Sequence, residues 1–430
     1  MVKTKGRPKP VLIGGAVVAL LMLWIFSPFP GFPTLLDVSP TTILLERDGA
    51  TAQDCATVGD HGINLSHDPV DRTFYDDIGL SYSMGNPIKN WEEKRREWLK
   101  HHPSFTGGAD EKVLVLTGSQ LRPCKNPIGD NLLMRLFKNK VDYCRIHGYD
   151  IFYNNALLHP KMTGYWAKLP AIRAMMVAHP EAEWIFWIDS DAIFTDMDFK
   201  PPLEKYKDHN LVLDGWPNLL YEKKSWIAVN SGVVFIRNCQ WSMEFLEAWA
   251  QMGPQTLNYE KWGEIVTSTL SDMMYPVLDD QSALIYLLLK EKDKWGDKIY
   301  IENQYVLSGY WAGVIDSYEK ISDNYARMEK RVTKLRRRHA EKVSEHYAAV
   351  MREALTNEGG DLKSRARPFV THFTGCQPCS GDHPGYTDEA CWNGMEKTLN
   401  FADNQVLRNY GFVRPNLLNP SSLHPFPFVS

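Results

Sequence analysis

Five consecutive apolar residues, Trp184-Ile185-Phe186-Trp187-Ile188, run without interruption into Asp189-Ser190-Asp191. A run this short and this apolar reads as a strand buried on both faces. Strands of that kind belong to parallel sheets covered by helices, and ligands gather beyond their carboxyl ends. The abrupt change from indole and isoleucine to two carboxylates marks such an end. Charge placed there is costly unless something pairs with it.

The neighbouring sequence extends the pattern. Val113-Leu114-Val115-Leu116 stops at Thr117-Gly118-Ser119 and predicts a second buried strand entering a loop. Residues 131–147 place Leu132, Leu133, Leu136, Phe137 and Val141 at helical spacing and end at Gly148, a helix stop. A strand is expected over 149–153, a helix over 166–179, strands over 211–213 and 233–236, and a helix over 282–289. Alternation of this kind predicts an α/β fold: a Rossmann-like, mostly parallel sheet flanked by helices. Aromatics make up 12% of the chain; most are expected in the core, and some rings are available to carry sugar faces.

The amino-terminal end predicts topology. Lys3, Lys5, Arg7 and Lys9 precede an uncharged apolar run from Val11 to Phe26. A crossing helix needs about 17–25 residues, so the run with its flank to Phe29 is short but serviceable in a thin membrane. Ser27-Pro28-Phe29-Pro30 offers no small-x-small cleavage site, so the segment reads as an uncleaved signal anchor and not as a removed signal peptide. The resulting division is a cytosolic tail at 1–10, a transmembrane anchor at 11–29, a lumenal stem at 30–110 and a catalytic domain at 111–430. Within the stem, residues 91–98 are expected to form a short charged helix with a solvated face. Seven cysteines suit a lumenal compartment, and Asn64-Leu65-Ser66 is a glycosylation sequon there. A net charge of −4 argues against nucleic acid as a partner.

Two carboxylates two positions apart at a strand end, Asp189 and Asp191, can both reach one divalent cation such as Mn²⁺ and leave sites open for diphosphate oxygens. The alternative is a turn or cap. The same spacing recurs at Asp196-Met197-Asp198, which is expected in a surface loop as a solvated turn. His372 follows a strand-like segment; read alone it is a core histidine or a third ligand. Cys376-x-x-Cys379 reads as one or two members of structural disulfides. Asp279-Asp280-Gln281 precedes an apolar helix and reads either as its cap or as a group meeting an acceptor hydroxyl and a cationic sugar. Arg336-Arg337-Arg338 lies in a charged, helix-favouring stretch and reads as a solvated face.

These motifs occur in an order that resembles a known family. Leu116-Thr117-Gly118-Ser119, Lys138-Asn139-Lys140-Val141-Asp142-Tyr143, Tyr165-Trp166-Ala167-Lys168-Leu169-Pro170, the segment from Trp187 to Asp196, Asp279-Asp280-Gln281 and Thr371-His372-Phe373 are similar to the plant branch of the galactosyltransferase family that includes yeast α-mannan galactosyltransferases. The resemblance covers roughly residues 110–412. Its plant members comprise xyloglucan α-1,6-xylosyltransferases and galactomannan α-1,6-galactosyltransferases. The stretches 336–344 and 375–383 look more like the galactomannan branch. The resemblance implies a GT-A fold, Mn²⁺ as cofactor, a UDP-sugar donor and retention of anomeric configuration. By position it implies that Asp189, Asp191 and His372 hold the metal. Gly118, Ser119, Lys168, Ser190 and Gly375 would contact the donor, and Asp279, Asp280 and Gln281 the acceptor and reacting sugar.

Two departures bear on the substrate. Gln377 stands where the xylosyltransferases usually carry a lysine, and Ser308 stands where they tend to carry a histidine before Gly309. The expectation is therefore UDP-galactose as donor and a β-1,4-linked mannan as acceptor, at the Golgi membrane in single-pass type II orientation. A polysaccharide synthase or a second copy of the chain is the implied protein partner. The rival readings are a xylosyltransferase acting on β-1,4-glucan and a non-catalytic Golgi assembly partner.

Overall fold

Backbone hydrogen bonds gather the apolar runs into one six-stranded sheet in the computed structural model, which describes residues 77, 79–105, 112–273, 278–335, 344–359, 362, 365–383, 385–419 and 421–426. The strands of the two larger sheets are β1 (Val113–Gly118), β2 (Asp150–Asn154), β3 (Trp184–Ile188), β4 (Ala192–Phe194), β5 (Leu211–Gly215), β6 (Val229–Arg237), β7 (Ile299–Glu302), β8 (Gly309–Tyr310) and β9 (Val370–His372). The main helices are α1 (Trp91–His101), α2 (Pro127–His147), α3 (Lys168–Ala178), α4 (Gln240–Ala250), α5 (Tyr259–Thr269), α6 (Asp280–Lys290), α7 (Tyr318–Arg331), α8 (Ser344–Asn357) and α9 (Asp388–Leu407). The large sheet has the order β2-β1-β3-β6-β5-β7. Pairing is parallel for β1 with β2, β1 with β3 and β5 with β7, and antiparallel where β6 meets β3 and β5. The expected mostly parallel sheet is present with β6 reversed.

Both faces of this sheet are covered, which is why β3 reads as an unbroken apolar run. Side chains alternate along a strand. Trp184, Phe186 and Ile188 enter one core with α2 and α9, while Ile185 and Trp187 enter the other with α3, α4 and α6. A third apolar cluster joins α7 and α8 to Phe401. Within the stretch read as stem, Met84, Ile88 and Trp91 are core residues. The Trp91 indole donates to Asn238 Oδ1 at 2.7 Å, so only the outer side of α1 is the solvated face expected for it.

Helix α2 begins at Pro127, upstream of the expected start, because Asn126 caps it and Pro127 fits the first turn. It ends where expected, at Gly148 with φ 70°. Its buried face differs from the apolar pattern: Phe137 is exposed, while Asn139 and Lys140 are buried beside Leu136 and Tyr143. The expected surface turn at Asp196-Met197-Asp198 is also corrected. Met197 and Asp198 are buried, and Arg367 Nη1 lies 3.1 Å from Asp198 Oδ2 and 3.7 Å from Asp196 Oδ1. Burial pushes the Asp196 carboxyl up to about 6 against the pull of Arg367.

A second sheet of three short strands has the order β4-β9-β8, with β4 antiparallel and β8 parallel to β9. Disulfides join Cys124 to Cys379 and Cys376 to Cys391, so the two cysteines of the C-x-x-C each bridge to another element. Among the described residues no helix is long and apolar enough to cross a membrane. The expected anchor at 11–29, Asn64 and Arg336-Arg337-Arg338 lie outside the described residues.

His147 gives this fold an acid sensitivity. Its Nε2 lies 3.0 Å from the Met197 carbonyl, and burial pushes its pKa down to about 4 against that bond, Asp198 and Glu345, with Lys200 pushing the same way as burial. The unfolded chain takes up this proton near pH 6.5 and the folded one only near 4, so stability is lost as pH falls through that window. Replacing His147 with Gln is expected to flatten the pH dependence of urea-unfolding midpoints between about pH 6.5 and 4.

Candidate active site

The turn after β3 and the end of β9 meet because β4 pairs with β9. Ala192 stands opposite His372 in that ladder, and the Phe373 N–H donates to the Asp191 carbonyl at 3.1 Å. One ligand atom from each of Asp189, Asp191 and His372 lies within 4.8 Å of the others. His372 Nε2 is 3.3 Å from Asp191 Oδ1 and 3.8 Å from Asp189 Oδ2. The imidazole is buried and the carboxylates are half-buried, so the group is open toward one side only.

This set suits a divalent cation on two grounds. Two carboxylates and an imidazole are ligands that Mn²⁺ accepts. The second ground is Gly232 in β6, where a Cβ would fall 2.3 Å from His372 Cε1 and 2.6 Å from Asp189 Oδ2. Only glycine leaves that space free. Nothing in the hydrophobic pattern of β6 singles out this residue, although its setting, Asn230-Ser231-Gly232 before a β-branched run, marks a break.

Two buried lysines hold the acidic turn in place. Lys168, at the start of α3, lies 2.8 Å from Asp280 Oδ2 and 3.4 Å from Asp189 Oδ1, and donates to the Ser231 carbonyl at 3.0 Å. Burial opposes its charge, but Asp189 and Asp280 hold its ammonium above the ordinary lysine range. It links two carboxylates, one in the acidic turn and one at the start of α6. Lys140 approaches from α2 and donates to the carbonyls of Ser190 at 3.2 Å and Ala192 at 2.7 Å. Beside it, Asn139 exchanges hydrogen bonds with the Phe194 main chain at 2.8 and 2.9 Å. Sequence reading missed both residues as site supports. The available signal was a polar pair on the core side of an amphipathic helix.

The remaining expected residues divide between site and scaffold. Asp279 caps α6, its Oδ1 accepting the Ser282 N–H at 2.6 Å, while the Trp226 indole donates to its Oδ2 at 3.3 Å. Burial raises the Asp279 pKa. Asp280 faces Lys168, and Gln281 bonds through its amide to the Trp226 carbonyl and the Ser231 N–H. Gly118 ends β1, where a Cβ would lie 2.2 Å from the Asn154 carbonyl oxygen; close strand packing alone demands glycine. Ser119 accepts from the Tyr153 hydroxyl at 2.6 Å. Gly375 has φ 85°, a conformation suited to glycine, in a loop tied down by both disulfides.

Two outcomes follow from this arrangement. Gly232→Ala is expected to weaken Mn²⁺ binding by about tenfold or more with circular dichroism unchanged, because the added methyl displaces ligand side chains. Lys168→Met leaves Asp280 buried without its cation and is expected to lower unfolding stability by about 3–5 kcal/mol in urea titrations.

The comparisons with known proteins agree in kind. Residues 109–383 match the model of the galactosyl transferase GMA12/MNN10 family. The chain is 54% identical over 420 residues to galactomannan galactosyltransferase 1 of Cyamopsis tetragonoloba, covering 96% of this chain and 94% of that protein. It is 54% identical over 419 residues to glycosyltransferase 6 of Arabidopsis thaliana, covering 97% and 94% respectively. To the Arabidopsis protein named "Probable xyloglucan 6-xylosyltransferase 3" it is 46% identical over 357 residues, covering 83% and 70%. With the family motifs spread through the sheet, the acidic turn and the histidine strand, this chain belongs to the galactosyl transferase GMA12/MNN10 family of glycosyltransferases.

Proposed function

We propose that this chain is a retaining galactosyltransferase that takes galactose from UDP-galactose and adds it as α-1,6 branches to a (1→4)-β-mannan. The convergence of Asp189, Asp191 and His372 on one point carries the reading. Galactose and mannan are chosen because the relative named galactomannan galactosyltransferase 1 shares 54% of its residues over nearly the whole chain. We assign the enzyme a GT-A fold, and to the Golgi membrane, anchored through residues 11–29 with the catalytic part in the lumen. The basic residues before that run favour this orientation.

Asp189, Asp191 and His372 are the residues that would hold Mn²⁺. A cation held there would supply charge neutralisation for the departing diphosphate. Gly118, Ser119, Ser190 and Gly375 border the donor in this reading. Retention by double displacement requires a nucleophile free to reach the anomeric carbon. Asp279 caps a helix, Asp280 is paired with Lys168, and the Gln281 amide is bonded to main chain. Those partners favour same-face attack: the anomeric C–O bond to the diphosphate breaks, the acceptor oxygen bonds from the same side, and its proton passes to the leaving phosphate. While the old bond breaks and the new one forms, Asp280 or Gln281 stabilises the cationic sugar.

The test uses the full chain in detergent with Mn²⁺, UDP-galactose or UDP-xylose, and β-1,4-manno- or gluco-oligosaccharides. Galactosyl transfer to the manno-oligosaccharide, abolished by EDTA, is the expected result. Preference for UDP-xylose and glucan selects the xylosyltransferase instead. Asp191→Asn is expected to lower kcat by about 10²–10³-fold, the range seen when one electrostatic stabiliser is removed. Pathway activity in cells left unchanged by Asp191→Ala would favour the non-catalytic assembly role instead.

A further inference from the structure

A histidine ligates through a nitrogen that carries a lone pair, so the proton must sit on the other ring nitrogen. In His372, Nε2 faces the two acids, while Nδ1 lies 3.3 Å from Ser308 Oγ. The serine hydroxyl donates its one hydrogen to Asn230 Oδ1 at 3.0 Å. That oxygen also accepts the Gly232 N–H at 3.0 Å, which identifies it as the carbonyl side of the amide. A hydroxyl whose hydrogen points away offers the ring only lone pairs. The proton of a neutral His372 is thereby drawn to Nδ1.

We propose that Ser308 and Asn230 form a relay that fixes the Nδ1–H tautomer of His372 and presents Nε2 as a preset ligand atom. Both are positioning residues; neither touches the reacting groups. The relay rests on the metal-binding reading given above. Its parts are held by the sheets themselves. Asn230 stands opposite Asp214 across the β5–β6 ladder, and the Asp214 carboxyl lies beside the main chain of Leu307 and Ser308. Ser308 leads into β8, whose Tyr310 pairs with His372 in β9. Three chain segments remote in sequence thus converge on one ring nitrogen. The serine at this position is therefore an orienting group for the ligand histidine, beyond any effect of its size on the donor pocket.

The experiment measures Mn²⁺ binding to the full chain in the presence of UDP, following free Mn²⁺ by electron paramagnetic resonance. Ser308→Ala is expected to weaken binding about 10–100-fold, the range for loss of an outer partner of a ligating histidine. Asn230→Ala is expected to act in the same direction, because the serine hydrogen is then free to turn toward Nδ1. Ser308→Thr keeps the hydroxyl and is expected to restore most of the affinity. Transferase activity of the alanine variant should recover as Mn²⁺ is raised. The relay is overturned if Ser308→Ala binds Mn²⁺ within about twofold of the parent, or if the threonine variant, folded by circular dichroism, loses as much as the alanine. If the parent chain itself binds no Mn²⁺, the metal reading falls and the relay with it.

Discussion

The pairing of β4 with β9 is the constraint on which the site depends. Asp189 and Asp191 are neighbours in the chain, but His372 arrives from far downstream, and the ladder that sets Ala192 opposite His372 brings them together. A slip of one residue in that ladder would turn the imidazole to the other face, because side chains alternate along a strand. Several features oppose such a slip. Thr195 donates its hydroxyl to the Pro368 carbonyl at 2.8 Å, its N–H meets the Phe369 carbonyl at 2.8 Å, and Phe194, Phe186 and Phe369 pack as rings against one another.

Around this pairing the protein places charge where charge is expensive and then compensates it. The Asp189-Ser190-Asp191 turn has Lys140 bonded to the carbonyls of Ser190 and of Ala192 just after it, and Lys168 beside one of its carboxylates. The Trp187 indole donates to Asp189 Oδ1 at 2.6 Å, which leaves Oδ2 as the oxygen facing His372. A buried lysine amine bonded to main-chain carbonyls fixes the path of a turn more firmly than apolar packing does, since breaking it strands both donor and acceptors. The acids are thus oriented before any ligand arrives, which is the condition for electrostatic work in a confined site.

Much of this was legible in the sequence, for identifiable reasons. β3 could be read because both its faces are covered, so its composition is uniform; the acids after it could be read because they break that uniformity. The stop of α2 at Gly148 follows from one left-handed residue. What could not be read depends on partners distant in the chain. The reversal of β6 leaves no mark in an apolar strand. Lys140 looked like one polar residue of an amphipathic helix, and its burial follows from carbonyls that lie more than a helix and a strand away. Asp198 looked solvated because its partner, Arg367, belongs to another region of the sequence. The ion pairs of Lys168 with Asp189 and Asp280 likewise join residues far apart in the chain.

The loop that carries Gly375 is stitched at one side to the start of α2, through Cys124, and at the other to the start of α9, through Cys391. Neither stitch lies in the sheet. Thiols persist in a reducing cytosol and bridges form in an oxidising lumen. A chain produced in the cytosol would therefore still be able to assemble its strands and acidic turn while leaving this loop untethered. Material prepared that way can pass as folded by secondary structure alone and yet bring a loosened Gly375 loop to every assay.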